Sequence, residues 1–335
     1  MIYDVAIVGG GPAGSSCAAS CANAGLRVVL LERETFPREK VCGDCLNPSI
    51  WPLLQRLELE EGVRASPHAE LEQVNFIALN GRSVSVSLKS EIAIKRSALD
   101  ALLLTRAREL GAEIQEHVTL TSVTRSNEWL LNNELQTRFL VAADGRNSTV
   151  ARLLGLLPRI TKERIALQAH VPLPDDFGNR VVLQLLPGGY SGQAPVNESE
   201  LNLCLVGRAV SLQSMREWAT RKFHLSPDQQ WRTITPLARR AISPTHRDLF
   251  LIGDAARVVE PFTGEGIYYA LRSGELAADA ILNGSDYAKA HRAMYRERLW
   301  INRLARAAVL NPRLGSAAIR FQPWLFRRLT KQITT

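Results

Sequence analysis

The sequence has few cysteines and no long apolar run. Its five cysteines among 335 residues lack the dense, regular spacing of a disulfide-stapled secreted domain, which excludes that class. No run of about 18 consecutive apolar residues occurs, which argues against a membrane-spanning helix. The chain starts on the strand-like stretch IYDVAIVGGG rather than on a signal peptide. These features predict a cytoplasmic protein.

The positive charge is concentrated at the C-terminal end. The formal net charge is +8, and residues 286–335 alone carry eleven basic and two acidic residues. Apolar and aromatic residues alternate with these arginines, which is typical of helices at an anionic lipid surface. We therefore predict a basic helical segment over 286–335 with peripheral membrane contact. The alternative is that its helices only cap a domain. The apolar residues concerned are Met294, Leu299, Ile301, Leu304, Leu310, Phe321, Trp324, Leu325 and Phe326.

A dinucleotide-binding fingerprint follows the first predicted strand. YDVAIVGGGPAGSSCAASCANAGLRVVLLERE contains an apolar strand, three glycines in G-x-G-x-x-G spacing, a helix of small residues and a second strand that ends at Glu32. The first glycine permits a tight turn, the second lets the backbone approach a pyrophosphate, and the third lets helix and strand pack closely. An acidic residue at this place suits a ribose diol. The motif residues are Gly9, Gly11, Pro12, Ala13 and Gly14.

Two later segments also end a strand on a glycine–aspartate pair. RFLVAADGRNSTVARLLGL reaches Asp144 and Gly145 before a short helix, and DLFLIGDAARVVEPFTGEGIYYALRSGELAADAI reaches Gly253 and Asp254. The second segment continues through a loop into a long helix that opens at GEGI, where Gly264, Gly266 and Ile267 lie. A helix N-terminus at this place can stabilise negative charge on a bound ligand.

The stretch KVCGDCLNP places Cys42 and Cys45 in a C-x-x-C spacing. This spacing fits a redox pair, half of a zinc site or neither. A zinc site needs two further ligands, yet Cys204 is remote in the sequence and no paired histidine motif occurs, so no metal is predicted. Whether the two cysteines form a disulfide stays open.

The dinucleotide-binding fingerprint and the two glycine–aspartate segments, in this order, resemble those of FAD-dependent enzymes built like p-hydroxybenzoate hydroxylase. Within these enzymes they resemble the geranylgeranyl reductase-like branch. The resemblance covers roughly residues 1–285. It implies one noncovalent FAD whose ADP half is held by the first motif with Glu32 and Arg33, and by the backbone of Leu120. It also implies that Asp254 bonds the ribityl chain and that the GEGI amides face the pyrimidine edge of the flavin.

The same resemblance points to residues near the reacting part of the cofactor. In the reductases the cysteine that matches Cys42, followed here by Gly43, lies beside the flavin, and the arginine that matches Arg96 touches the cofactor. Tyr190 matches an aromatic residue of the substrate channel, whereas Gly192 and Ala194 stand where the reductases have bulky residues. We take Cys42 and Tyr190 as the candidate catalytic residues and expect a pocket of different shape.

The intervening segments predict a second, antiparallel sheet. LEQVNFIALNGRSVSVSLKS alternates around Asn80 and Gly81 like a hairpin, and RIALQAHVPL, RVVLQLLPGG and LNLCLVG are further strand candidates. Ser97 and Asp100 are spaced as a cap pair for the helix that returns the chain to the first sheet. The predicted fold class is α/β with an α+β insert. It combines a Rossmann-type FAD-binding domain, an inserted antiparallel-sheet substrate domain and C-terminal helices. The predicted FAD-binding domain comprises 1–70, 95–155 and 245–285, and the substrate domain comprises 71–94 and 156–244.

The sequence predicts an FAD-dependent oxidoreductase that acts on an apolar small molecule, isoprenoid or polyketide-like. Reduction of a C=C bond by hydride from flavin N5 is the main hypothesis. An NAD(P)H-dependent flavin monooxygenase is the alternative, and a non-catalytic flavin-binding protein is a further one. Only one dinucleotide fingerprint occurs, so the reductant is expected to be transiently bound NAD(P)H or an external electron carrier. No nucleic acid partner is expected, because no aromatic-rich basic groove occurs. The oligomeric state is left open.

Overall fold

Two β-sheets and the helices around them form the part of the chain that the computed structural model describes, which is residues 2–159, 164–261, 264–296 and 298–321. The strands are β1 (Ile2–Val8), β2 (Val28–Leu31), β3 (Cys45–Leu46), β4 (His68–Ile77), β5 (Ser83–Ile94), β6 (Glu113–Gln115), β7 (Val123–Arg125), β8 (Trp129–Leu131), β9 (Leu135–Ala142), β10 (Ile165–Pro172), β11 (Arg180–Leu186), β12 (Gly189–Pro195), β13 (Glu200–Gly207), β14 (Arg232–Ile234), β15 (Thr245–His246) and β16 (Leu249–Leu251). The α-helices are α1 (Pro12–Asn23), α2 (Trp51–Arg56), α3 (Glu60–Ala65), α4 (Arg96–Glu109), α5 (Thr149–Leu153), α6 (Leu212–Phe223), α7 (Gly266–Asn283), α8 (Tyr287–Arg296), α9 (Leu299–Leu310) and α10 (Pro312–Phe321).

The first sheet has a parallel centre in the order β16-β9-β1-β2-β6. Its strands are apolar runs buried on both faces, as expected where helices cover a parallel sheet. Helices α1, α4 and α7 contribute to the core on one face. The carboxyl ends of β1, β9 and β16 meet at one edge, which is where a doubly wound sheet binds its ligand. The predicted Rossmann-type layer is confirmed.

The second sheet runs β14-β10-β13-β12-β11-β4-β5-β3. The predicted hairpin is confirmed, since β4 and β5 pair antiparallel around a turn in which Gly81 has φ +82°. One pair departs from the antiparallel prediction, because β4 and β11 are parallel. These two strands come from separate chain segments, so no hairpin sets their relative direction. The short strand β3 at Cys45 joins the opposite edge of this sheet.

Helix α4 begins differently from the prediction. It starts at Arg96, with Lys95 as its N-cap, and no side chain caps its first turn. The predicted cap pair of Ser97 and Asp100 is therefore wrong. Asp100 is fully buried and accepts two hydrogen bonds from Arg96, Nε to Oδ1 and Nη2 to Oδ2, both at 2.7 Å. A bidentate guanidinium is a stronger partner for a buried carboxylate than a backbone amide.

Helices α9 and α10 lie against the second sheet. Val309 and Ile319 are buried in the same apolar cluster as residues of β4, β5 and β11. Gly315 allows the close approach, since a Cβ there would lie 2.9 Å from Leu185 Cδ1. No helix in the described parts of the chain is both long enough and apolar enough to cross a membrane. The predicted tail residues Trp324, Leu325 and Phe326 lie outside the described residues.

Candidate functional site

One cavity of about 410 Å³ lies between the carboxyl edge of the first sheet and the inner face of the second. Its wall takes residues from α1, the loops after β9 and β16, α7, the C-x-x-C loop and strands β4, β5 and β10–β14. Leu304, Ala305, Ala308 and Ala318 of α9 and α10 complete the lining. Thirteen predicted site residues come together in this wall: Gly11, Pro12, Ala13, Cys42, Gly43, Arg96, Gly145, Tyr190, Gly253, Asp254, Gly264, Gly266 and Ile267.

The first fingerprint has the predicted close approach of helix and strand. Gly9 has φ +106°, and a Cβ on it would lie 2.6 Å from the Ala143 carbonyl oxygen. A Cβ on Gly14 would lie 1.9 Å from the Gly9 carbonyl oxygen, so neither position has room for a side chain. Gly11 is the N-cap of α1, and no side chain caps this helix. The amides of the first turn of α1 are therefore available to a ligand in the cavity.

The segment after β16 supplies a second helix N-terminus. Gly253 has φ +55°, and its amide donates to Ser273 Oγ at 2.8 Å, which fixes the turn before Asp254. Asp254 Oδ2 accepts a hydrogen bond from Arg146 Nη2 at 2.9 Å. Gly264 and Gly266 line the cavity, and a Cβ on either would meet no protein atom within 4 Å. The start of α7 therefore leaves open space on its cavity side.

A group of cations surrounds the middle of the cavity. Arg96 is paired with Asp100, whose Oδ2 also lies 3.2 Å from Arg38 Nη1. Lys40 forms no hydrogen bond or ion pair with any residue that the structure describes. Burial and the charges of Arg96 and Arg38 together lower the pKa of the Lys40 ammonium to about 8, although the charges of Asp100 and Asp254 act in the opposite direction. A half-buried cation that no carboxylate contacts directly suits an anionic ligand.

Four predicted cofactor-binding residues other than Gly9 and Gly14 lie outside the cavity wall. Glu32 is buried, and its carboxylate accepts from the amides of Gly10 at 2.8 Å and Glu34 at 3.0 Å. Arg33 is exposed and forms an ion pair with Glu34. Asp144 accepts a hydrogen bond from the Val150 amide in the first turn of α5 at 3.0 Å, while its neighbour Gly145 lines the cavity. Leu120 is buried in the core.

The C-x-x-C loop lies in the cavity wall together with a third cysteine. Cys204 is remote from Cys42 in the sequence, but its Sγ lies 3.3 Å from the Cys42 carbonyl oxygen, because β13 runs beside the loop. Asn202 Nδ2 donates to the same carbonyl at 2.8 Å. All five cysteines are free thiols, and burial raises the pKa of Cys42 and Cys45. No metal-binding group occurs among the described residues.

Sequence reasoning missed four ionisable residues of the cavity wall, namely Lys40, Asp44, Glu91 and Arg146. Burial raises the pKa of Glu91 to about 7. Burial also raises the pKa of Asp44, although a hydrogen bond from His170 lowers it in part. Glu91 stands where the solvent-facing alternation of β5 breaks into a buried run, and this break was the one available signal. Asp44 and Lys40 flank Cys42 within the motif, but no spacing rule assigns them a role.

These residues fit FAD. The uncapped N-terminus of α1 and the half-buried ammonium of Lys40 suit a pyrophosphate. Asp254 stands at the same edge, ready to accept from a polyol chain. The open glycines at the start of α7 leave space that a flat ring system can fill. The buried tyrosine Tyr190 faces this part from the second sheet, and burial raises the pKa of its hydroxyl.

Comparison with known proteins places this site in a family. The sequence profile of the FAD binding domain matches residues 2–176. Conditioned medium factor receptor 1 of Dictyostelium discoideum is 30% identical over 325 residues, which cover 84% of this chain but only 63% of that protein. Menaquinone reductase of Mycolicibacterium smegmatis is 28% identical over 334 residues, covering 88% of this chain and 80% of that protein.

Two further similarities bear on the branch and on the fold. Geranylgeranyl diphosphate reductase of Rhodobacter capsulatus is 27% identical over 307 residues, covering 84% of this chain and 75% of that protein. The solved structure of the flavin-dependent brominase Bmp2 superposes with a TM-score of 0.80 at 23% identity, covering 100% of this chain and 94% of that one. At this identity the brominase supports the fold alone. The predicted resemblance to geranylgeranyl reductase-like proteins is confirmed.

Proposed function

The chain belongs to the FAD-binding domain family and is an FAD-dependent oxidoreductase, and we propose that it reduces a carbon–carbon double bond of an apolar, isoprenoid- or polyketide-like molecule. One observation carries this proposal, namely an apolar chamber that continues from the predicted flavin position into the second sheet. Val74, Phe76, Leu88, Val181 and Leu183 line it. An apolar wall with few polar groups binds a hydrocarbon substrate by burying its surface.

Each residue of the site would have a role that follows from its position. Bound FAD would supply hydride at N5. The first turn of α1 and Lys40 would hold the pyrophosphate, and Asp254 would hold the ribityl chain. The amides at the start of α7 would stabilise negative charge on the pyrimidine edge. Cys42 of the C-x-x-C loop and Tyr190 of β12 both line the cavity and would position the reacting double bond.

Small residues give this chamber its shape. Gly192 lines it, and a Cβ there would lie 3.6 Å from Leu183 Cδ2, while Ala194 is buried beside it. Bulky aromatic residues stand at these two places in the reductases that the sequence resembles. A wider chamber at this point favours a substrate with a broader head than a linear isoprenoid. This is why a prenylated quinone is tested beside a linear isoprenoid.

Anaerobic reoxidation tests the proposed function. Purified protein is expected to be yellow with about one noncovalent FAD per chain, since the site is complete. After reduction by dithionite without oxygen, geranylgeranyl diphosphate or menaquinone is expected to restore the oxidised flavin absorbance in a single turnover. The product should have gained two hydrogens at a carbon–carbon double bond of the isoprenoid chain, because reduction of the quinone ring alone would also reoxidise the flavin. Reoxidation by oxygen alone, with a hydroxylated product, would favour the monooxygenase. Protein that cannot be reconstituted with FAD would overturn the assignment. NADH, NADPH and reduced ferredoxin, tried in place of dithionite, would identify the class of reductant.

We also propose that the enzyme contacts anionic membranes through α9 and α10, beside the cavity. Trp300 and Leu304 are about half exposed and lie one turn apart on α9, and Leu314 of α10 is 67% exposed. The exposed residues Arg303 and Arg313 stand next to them in sequence. Leu304 also lines the cavity, so an apolar substrate could pass from the lipid to the chamber at this point. The opposite faces of both helices are packed against the second sheet.

Vesicle flotation tests this contact. Wild-type protein is expected to float with phosphatidylserine vesicles at low salt and to be released by salt. Replacing Arg303 and Arg313 together by Glu should weaken binding about tenfold or more, because each cation near the surface contributes about 1 kcal/mol. Val210→Ser is the matched control, because Val210 is 89% exposed but lies outside these helices. The proposal would be contradicted if neither the wild type nor either variant floated with anionic vesicles at low salt.

A further inference from the structure

Asp44 occupies an unusual position in the cavity wall. It lies between Cys42 and Cys45 with φ +61°, a backbone conformation that side chains other than glycine, asparagine and aspartate rarely adopt. The residue is only 1% exposed, yet it lines the cavity. Its Oδ2 lies 2.8 Å from His170 Nε2. Its Oδ1 accepts no hydrogen bond from any residue in the described part of the chain. A buried carboxyl oxygen left in this state needs a ligand or a proton.

The surrounding fold holds this carboxyl group in place. The Asp44 carbonyl oxygen accepts from the Ile94 amide at 3.0 Å, which ties the loop to β5. Asn202 of β13 donates to the Cys42 carbonyl oxygen, and Gln168 of β10 donates to Asn202 Oδ1 at 3.1 Å. Strand β5 therefore fixes the loop at Asp44 itself, and strand β13 fixes it at Cys42. Rigid placement of this kind is what an acid needs if it acts on a bound molecule.

We propose that Asp44 is the catalytic acid of the proposed reduction and that His170 positions it. This inference rests on the proposed function. Hydride would reach one carbon of the substrate double bond and carry two electrons, so the flavin would be oxidised and the double bond reduced. Asp44 would deliver the balancing proton from Oδ1 to the other carbon. His170 Nε2–H, donating to Oδ2, would stabilise the carboxylate left behind, and water would reprotonate Asp44 once the product has left.

The charges around Asp44 are consistent with this role. Burial raises its pKa, which favours the protonated form, while the hydrogen bond and charge of His170 act in the opposite direction. A carboxyl group with these opposed influences is suited both to hold a proton and to release it to a bound molecule. The other titratable or charged groups that influence Asp44, or that it influences, are Arg96 on α4, Glu39 and the thiols Cys42 and Cys45 on its own loop, and Cys204 on β13.

Glu91 is the competing acid in the same wall. Burial alone raises its pKa, and it forms no hydrogen bond or ion pair with the described residues. It therefore lacks a partner that would fix its direction or stabilise its carboxylate after proton transfer. Asp44 has both, and it adjoins Cys42, which the family resemblance places beside the flavin. The geometry favours Asp44.

Infrared difference spectroscopy of the FAD-loaded protein, labelled with ¹³C-aspartate, tests the protonation of Asp44 without any substrate. Wild-type protein is expected to show a protonated carboxyl band that is lost on raising the pH and is missing in Asp44→Asn. In His170→Phe the band should persist to higher pH, because the hydrogen bond that lowers the pKa of Asp44 is gone. In His170→Gln the band should be lost at a pH between those of wild type and His170→Phe, because the glutamine amide restores part of that hydrogen bonding. A band that is absent from wild type between about pH 5 and about pH 8 would overturn the proposal.

Single-turnover kinetics in ²H₂O tests proton delivery, using whichever of geranylgeranyl diphosphate and menaquinone the wild type reduces. Asp44→Asn should slow the step about 10²- to 10⁴-fold, with FAD affinity and thermal midpoint near wild type, and Asp44→Glu should recover part of the rate. The exposed Asp228→Asn is the control. The assignment would be overturned if Asp44→Asn kept a rate within about threefold of wild type. It would also be overturned if the expected slowing occurred in Glu91→Gln and not in Asp44→Asn. If wild type reduces neither molecule, the proposed function fails while the infrared result still decides the state of Asp44.

Discussion

Replacing Gly14 by alanine is expected to abolish tight FAD binding and to lower the thermal midpoint of the protein. The new Cβ would lie 1.9 Å from the Gly9 carbonyl oxygen and 3.1 Å from the Ala143 Cβ. The first of these atoms is backbone, so α1 must move away from β1 to make room. Overpacking of this kind costs about 1–3 kcal/mol or more. The same shift displaces the first turn of α1, whose amides would hold the pyrophosphate.

Gly62→Ala is the matched control for this change. Gly62 lies in helix α3, and a Cβ on it would meet only Leu102 Cδ2 of α4 at 3.8 Å, which is an ordinary contact. FAD retention, measured by flavin fluorescence after gel filtration, and the thermal midpoint of both variants give the comparison. We expect Gly62→Ala to behave like wild type or to be slightly more stable, since alanine favours a helix. Wild-type FAD affinity in Gly14→Ala would refute the account of the fingerprint.

The sequence was sufficient to predict the first sheet, because its signals are local. Gly9, Gly11 and Gly14 lie within six residues, and the strand and helix that they join flank them directly. The later glycine–aspartate pairs end strands that lie side by side, so the rule that ligands bind at the carboxyl edge of a parallel sheet brings them together. The hairpin around Gly81 was predictable for the same reason, since its turn and strands are adjacent in the chain.

The contacts of the C-x-x-C loop with the second sheet could not be predicted in this way. Asp44 and His170 are separated by 126 residues, and Cys42 and Cys204 by 162. Their contacts depend on how β10 and β13 align beside the C-x-x-C loop, which no local spacing encodes. Asp100 shows the same effect on a smaller scale. The spacing of Asp100 from Ser97 favoured a helix cap. The Asp100 carboxylate binds Arg96 instead, because the guanidinium offers two hydrogen bonds and a positive charge.

The C-terminal helices show how one pattern can support two interpretations. Basic and apolar residues alternate along α9, which fits either a lipid surface or a capping helix. The structure shows the helix packed through Val309 while Trp300 and Leu304 stay exposed. The packed face fits a capping helix, and the exposed face is the one that the proposed membrane contact would use. Periodicity alone could not assign them, because the second sheet that buries one face is built from distant parts of the chain.

Replacing Gly266 by alanine is expected to separate cofactor binding from stability. A Cβ on Gly266 would meet no protein atom within 4 Å, and the residue begins helix α7, so the fold should be as stable as wild type or slightly more stable. The open space on this side of α7 is where the flavin edge is proposed to lie. FAD affinity should therefore fall about tenfold or more, which corresponds to about 1.4 kcal/mol or more of lost binding energy.

A second glycine of the same helix provides the contrast. A Cβ on Gly274 would lie 2.5 Å from the Ala13 carbonyl oxygen, so Gly274→Ala should push α7 away from α1 and lower the thermal midpoint. Isothermal titration of the apo proteins with FAD, together with thermal unfolding without FAD, separates the two effects. If Gly266→Ala bound FAD as tightly as wild type, the flavin could not lie against the start of α7. If it instead lost stability without FAD, the fall in affinity would only reflect damage to the helix.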